Sequence, residues 1–228
     1  MLRGLFLALA QLPSPPFVRV LWRSLLLTFV ALVLVYALLA YLLAQAPPTP
    51  WPWLDASLRV VGGLGLLFGG FLLFPAVATA VMAIFLDDVA EAVEREHYPA
   101  APPGRALLPS AAAWGALRFL TLIIGLNLVF LPLYIASIWI AGLGLILYLG
   151  INGYLLGREY FELAALRQVT PETARQIRKA NGGKVFAIGF ALAWAFSVPF
   201  LNLLMPLVAT AWMVHVLKAL QNESKVVV

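Results

Sequence analysis

The residues able to hold or move charge are few, and their spacing narrows what they can do. Arg19 and Arg23 stand one helical turn apart, just ahead of an uncharged stretch. Such a pair reads either as an electropositive mouth for an anion or as anchors that snorkel to membrane headgroups. Asp87, Asp88, Glu91 and Glu94 form an acidic ridge, because positions three and four apart share a helix face. The ridge reads as a metal or proton site, or as a helix extension whose carboxylates pair with basic residues of the next connections. Arg158 and Glu162 make an (i, i+4) pair with Glu159 between them. Asn127, Asn152 and Asn202 fall in or beside apolar stretches, where an amide caps a broken helix or bonds across a packing seam. Asn202 stands among residues that prevent helix, which makes it the candidate for lining a pathway.

Several chemistries are excluded or not expected. There is no cysteine, so disulfides, thiolate metal sites, iron–sulfur clusters and cysteine nucleophiles are out. His97 and His215 are far apart in sequence, and no serine–histidine pair or paired-aspartate motif of intramembrane proteases is present. No Lys-Ser or Lys-Thr follows the glycines Gly62, Gly63, Gly65, Gly69 and Gly70, which read as close helix packing and not as a phosphate loop. The expectation is therefore a protein that is not an enzyme and has no metal, cofactor or nucleic-acid partner.

The elements that position these residues must lie mostly in lipid. The chain of 228 residues is 63% hydrophobic and 11% charged, against about 25% charged in a soluble domain. Too few polar side chains remain to cover a water-facing surface, so a bilayer is the expected solvent. Four stretches lack Lys, Arg, Asp and Glu: Ser24–Leu54, Val60–Leu86, Phe119–Gly157 and Val185–Leu217. The first two can cross a hydrocarbon core of about 30 Å at about 1.5 Å per residue, giving spans over about 20–44 and 60–86. Pro132 and Gly142-Leu143-Gly144 break the third stretch; Val198–Asn202 and then Pro206 break the fourth. The fourth is left as Val185–Ser197 and Leu207–Lys218, each about 20 Å long and short of a full span. Helical hairpins over about 110–157 and 185–218, entering and leaving by one face, fit better than crossings. Their non-helical tips need cover from protein or a wet cavity, which predicts a homo-oligomer.

Every one of the 15 basic residues except Arg59 then lies on one side, with Pro47–Leu58 as the polar loop on the other. The positive-inside rule makes the basic side cytoplasmic and places both termini there. Asp87–Tyr98 is expected to continue the second span as a polar helix. Thr170-Pro171 supplies an N-cap and a proline at the first helical position, and Asn181-Gly182-Gly183 a stop after a basic last turn. Met1–Gln11 is too short, and too soon followed by Pro13, Pro15 and Pro16, to read as a signal peptide. The expected class is an all-α integral membrane protein with one membrane domain over residues 1–228. It combines two long transmembrane helices, two partly penetrating helical hairpins and short cytoplasmic amphipathic helices.

Three segments carry a resemblance. Val198-Pro199-Phe200-Leu201-Asn202-Leu203-Leu204-Met205-Pro206, the acidic run Phe85–Glu94 and the segment Asn152–Glu162 resemble, in order and spacing, the CysZ-type sulfate permeases. More broadly they resemble the etoposide-induced protein family, over about Pro15 to Lys218. The resemblance implies two spanning helices with two partly inserted hairpins, homo-oligomers in a bacterial inner membrane, and passive sulfate uptake for sulfur assimilation. The family's anion site looks like a Gly-Leu-Arg-Arg turn opening the first long helix. Pro15-Pro16-Phe17-Val18-Arg19 stands there, with proline for glycine and valine for the first arginine. The implied anion-binding residues are Phe17 and Val18, through their amides, and Arg19, through its charge. Sulfate at a helix N-terminus needs free N–H groups, and Pro16 has none. A small-oxyanion permease or channel is one reading; a non-transporting membrane scaffold of the same family is the alternative.

Overall fold

The computed structural model describes residues 1–45, 50–105, 121, 125–126, 128–137, 139–140, 142–198 and 201–226, and every regular element among them is a helix. Asn127, Pro47–Thr49, Pro199–Phe200 and the first part of the hairpin expected over 110–157 lie outside the described residues. The short apolar run at the N-terminus forms α1 (Leu2–Gln11), and a turn leads into α2 (Pro15–Ala44). Proline suits the first helical position, where its missing N–H has no partner to lose. For the same reason α3 (Pro52–Ala83) begins at Pro52, on the N-cap Trp51. The second half of the expected external loop is thus helical, and both long helices start earlier than composition suggested.

α2 and α3 have 30 and 32 residues, roughly 45 and 48 Å of helix, more than a bilayer core needs. They pack antiparallel on one another and leave Leu26, Phe29, Leu34, Leu38, Val60, Leu64, Phe68 and Phe71 exposed. Water offers no stabilisation to an apolar surface on that scale, whereas lipid does. Three described helices are long and apolar enough to cross a membrane, and α2 and α3 are two of them.

The acidic segment does not continue α3. The chain turns at Ile84 and Phe85 and restarts as α4 (Leu86–His97), which buries Leu86, Val89, Ala90 and Val93 on one side. That apolar stripe gains more by docking on the bundle than by extending a straight rod. α5 (Leu128–Ser137) contains Pro132 without ending there. Gly142, with φ +83°, turns the chain into α6 (Leu143–Leu166), a left-handed conformation that glycine adopts without strain.

α7 (Pro171–Ala180) starts as expected, with Thr170 Oγ1 accepting from Thr173 N–H at 3.4 Å. Asn181 ends it, but Gly182 and Gly183 open α8 (Gly182–Phe196) instead of stopping the chain. The last break is narrower than expected. α9 (Leu201–Val226) starts at Leu201 and runs through Pro206, so Leu207–Lys218 is not a separate half-helix. An interior proline costs about 3 kcal/mol of helix propensity. The burial of every residue from Met205 to Lys218 outweighs it. α9 is the centre of the fold, enclosed by α1, α3, α4, α6 and α8. Its apolarity reflects burial in protein on all sides, not only length for a bilayer.

Candidate functional site

The anion reading centres on the start of α2. Pro16, Arg19, Val20 and Arg23 lie on one face of that helix and meet Asp88, Glu91, Ala92, Arg95 and Glu96 of α4 across a cleft of about 350 Å³. Helical spacing explains both faces: each set recurs every three or four residues. Of the expected binding residues only Arg19 lines this cleft. Phe17 is fully buried in the core, and the Val18 N–H donates to Ser14 O at 3.1 Å. Arg95 pairs with Glu91, and Glu96 accepts from Gln11. Arg19, Arg23 and Asp88 have no ion-pair partner among the described residues.

A second polar constellation lies behind α4, where two carboxylates of the acidic ridge pair, as expected, with a basic residue of a later connection. Arg167, just past α6, is 3% exposed and bridges Asp87 Oδ1 and Glu94 Oε2, both at 3.1 Å. Gln168 Nε2 donates to Glu94 Oε1 at 2.8 Å, and Lys218 Nζ of α9 donates to Gln168 Oε1 at 2.7 Å. The Gly104 N–H completes the shell around Glu94 at 3.3 Å. Burial weakens the charge of Arg167, but hydrogen bonding and attraction from Glu94, then Asp87, outweigh it and hold its pKa above the usual value. The two halves of the acidic ridge are therefore divided: Asp87 and Glu94 are structural counter-ions, while Asp88 and Glu91 face the cleft.

Residues 4–206 match the family described as Sulfate transporter CysZ/Etoposide-induced protein 2.4. The chain belongs to that family. No individual curated protein matches the chain. The match runs from α1 through Pro206 of α9.

Other expected residues of this CysZ/etoposide-induced family member fall apart in space. Asn202 is half-buried in the first turn of α9, its N–H donating to Val198 O at 3.1 Å, so it is helical and not part of an irregular tip. Asn152 turns back on its own helix, donating to Tyr148 O at 2.9 Å. His97 and His215 do meet, with ring centroids 5.0 Å apart, and Tyr98 Oη shares a hydrogen bond with His215 Nδ1 at 2.8 Å. Sequence distance concealed this cluster; the one hint was a histidine inside an otherwise apolar helix. Burial lifts the Tyr98 hydroxyl above its ordinary pKa, against the opposing pull of Arg3.

Arg158 and Glu162 pair at 3.1 Å as expected, and Arg178 of α7 joins Glu162 at 3.4 Å. Glu159, beyond the apolar stretch that ends at Gly157, is pushed up to about 7 by burial, then by Glu162, with Arg158 opposing. The folded state therefore holds this proton more tightly than the unfolded chain. Stability from this group is fully present below the ordinary carboxylate pKa and is lost as pH rises through about 7. Unfolding midpoints of the purified protein should fall between pH 5 and 8, and Glu159→Gln should flatten that slope. An unchanged slope in the variant would remove Glu159 as the cause.

Proposed function

We propose that the protein is a passive membrane pathway for a small oxyanion of the sulfate type, serving sulfur assimilation. One observation carries the reading: two guanidiniums without ion-pair partners among the described residues, Arg19 and Arg23, share a cleft at the foot of a lipid-exposed helix. Fixed positive charge at a mouth raises the local concentration of anions by about tenfold or more, and a planar guanidinium grips an oxyanion at two points. Sulfate flux into proteoliposomes tests this. Arg19→Ala should cut flux about tenfold, with Arg19→Lys recovering only part of it. Unchanged flux at equal insertion would overturn the reading.

The scaffold alternative is favoured by a different observation. The Val18 amide is already bonded, Pro15 and Pro16 offer no N–H, and three carboxylates share the cleft with three arginines. Absence of sulfate flux in the unaltered protein would make it the better account.

The proposal includes a topology, with both termini in the cytoplasm of a bacterial inner membrane. In its support, the start of α2, the ends of α3, α6 and α9 and the start of α8 gather at one end of the bundle, beside α1, α4 and α7. α8, with 15 residues, reaches about 22 Å and falls short of a crossing, which supports partial insertion of the first arm of the hairpin; the second arm, α9, has the length to cross but is enclosed by protein. Subunit association covering that hairpin is part of the same reading. In this cysteine-free chain, Thr170→Cys should resist an impermeant external label in intact cells. Ready labelling there would invert the topology.

A further inference from the structure

We propose that the cleft between α2 and α4 binds the headgroup of phosphatidylethanolamine, with the phosphate on Arg19 and Arg23 and the ammonium on Asp88. This goes beyond the transport reading and does not rest on it: a headgroup phosphate and a passing oxyanion would compete for the same two guanidiniums, so the lipid is the resident that a transported anion must displace. The first reason is charge. A bare dianion in this cleft would face Asp88, Glu91 and Glu96 as well as Arg19, Arg23 and Arg95. Arg95 and Glu91 satisfy each other, and Glu96 accepts from Gln11. What remains is two cations, Arg19 and Arg23, and two carboxylates, of which Glu96 is held by the neutral Gln11 amide; among the described residues Asp88 has no side-chain partner and none of the four forms an ion pair. A zwitterion with a phosphodiester at one end and a primary ammonium at the other fits that set, because each pole meets its opposite charge.

The second reason is depth. The uncharged run of α2 begins at Ser24, directly after Arg23, so Arg19 and Arg23 sit where the hydrocarbon ends. Trp22, between them in sequence, is 66% exposed, as suits an aromatic side chain at the membrane–water interface. Above it Leu26, Leu27, Phe29 and Val30 are exposed and apolar, a surface for acyl chains. The third reason is size: about 350 Å³ lies within the range of about 300–1,000 Å³ typical of small-molecule sites.

Native mass spectrometry of the delipidated full chain tests the assignment. Phosphatidylethanolamine, phosphatidylcholine and phosphatidylglycerol with identical acyl chains are offered at equal concentration. One phosphatidylethanolamine should be retained per chain, about tenfold over phosphatidylglycerol, the discrimination expected of one charge-assisted contact. Phosphatidylcholine should bind more weakly than phosphatidylethanolamine, since a trimethylated ammonium has no N–H to donate. Asp88→Asn should bring the ethanolamine-to-glycerol ratio near one with phosphatidylglycerol still bound, and Asp88→Glu should restore the preference. The double substitution Arg19→Ala/Arg23→Ala should lose both lipids while the lipid-free unfolding midpoint is kept. The assignment is overturned if the unaltered chain shows no preference for the ethanolamine lipid. It is equally overturned if Asp88→Asn leaves the ratio unchanged, or if binding survives loss of both arginines. Sulfate flux is not the readout, so this proposal and the transport proposal fail separately.

Discussion

Arg167→Met is expected to destabilise the fold by about 3–5 kcal/mol, the usual cost of removing one partner of a buried ion pair. Arg167 is 3% exposed and Glu94 7%. Without the guanidinium, Glu94 keeps, among the described residues, the Gln168 amide and the Gly104 N–H, two neutral donors for a full charge out of water. Asp87 suffers less, because its side chain is 30% exposed and can be hydrated. The double variant Glu94→Gln/Arg167→Met should recover much of the loss, since removing both charges removes the desolvation cost. Arg95→Ala is the control: its pair with Glu91 is exposed at 78% and 56%, and such pairs contribute about 0–1 kcal/mol. Thermal unfolding of the purified protein in one detergent ranks the four chains. Equal losses for Arg167→Met and Arg95→Ala would reduce the buried bridge to ordinary surface electrostatics.

Gly189→Ala is expected to have an effect of similar size through packing. α6 and α8 cross with glycine on both sides: a Cβ at Gly189 would overlap Gly153 O and stand 2.6 Å from Gly157 N and 2.7 Å from Gly157 Cα. A Cβ at Gly157 would in turn lie 2.6 Å from Val185 O. All of these are backbone atoms, which cannot rotate away as a side chain end would, so the helices themselves must part. Overpacking typically costs about 1–3 kcal/mol and occasionally more, and this seam belongs at the upper end. Gly183→Ala, at the start of the same helix with nothing within 4 Å, should be neutral or mildly stabilising. Folded yield and unfolding midpoint of the two variants make the comparison. Matching values would mean that the seam opens at little cost.

Among the described residues, that seam and not the glycine-rich run of α3 is where helices approach most closely. The sequence run Gly63, Gly65, Gly69 looked like close packing, yet a Cβ at any of the three meets nothing within 4 Å. Gly70, by contrast, is tight, with a Cβ there 2.5 Å from Tyr36 Oη. The packing glycines are Gly153, Gly157 and Gly189, whose partners are far away in sequence. Small-residue spacing reports that a helix can be approached closely; it does not say by which neighbour.

Much of the architecture was legible from composition and spacing. Two charge-free stretches bounded by prolines and arginines became α2 and α3, because length and apolarity alone decide whether a helix can replace water with lipid. The Thr170-Pro171 start and the Arg158–Glu162 pair are local, with both partners within one turn, and appear as expected. Pro206 and the acidic segment went otherwise. Proline propensity is a local cost, and the burial of α9 by helices from the whole chain outweighs it. The amphipathic stripe of α4 drew it off the axis of α3 onto the core.

The candidate site divides in the same way. Sequence by itself determined that Arg19 and Arg23 stand at the foot of a membrane helix, since their position relative to an uncharged run is a one-dimensional fact. Tertiary structure decided that Phe17 faces the core and that Asp88 enters the arginines' cleft while Asp87 and Glu94 turn to Arg167. Which face of a helix meets which neighbour depends on the packing of the whole bundle, and charges distant in sequence become partners only there.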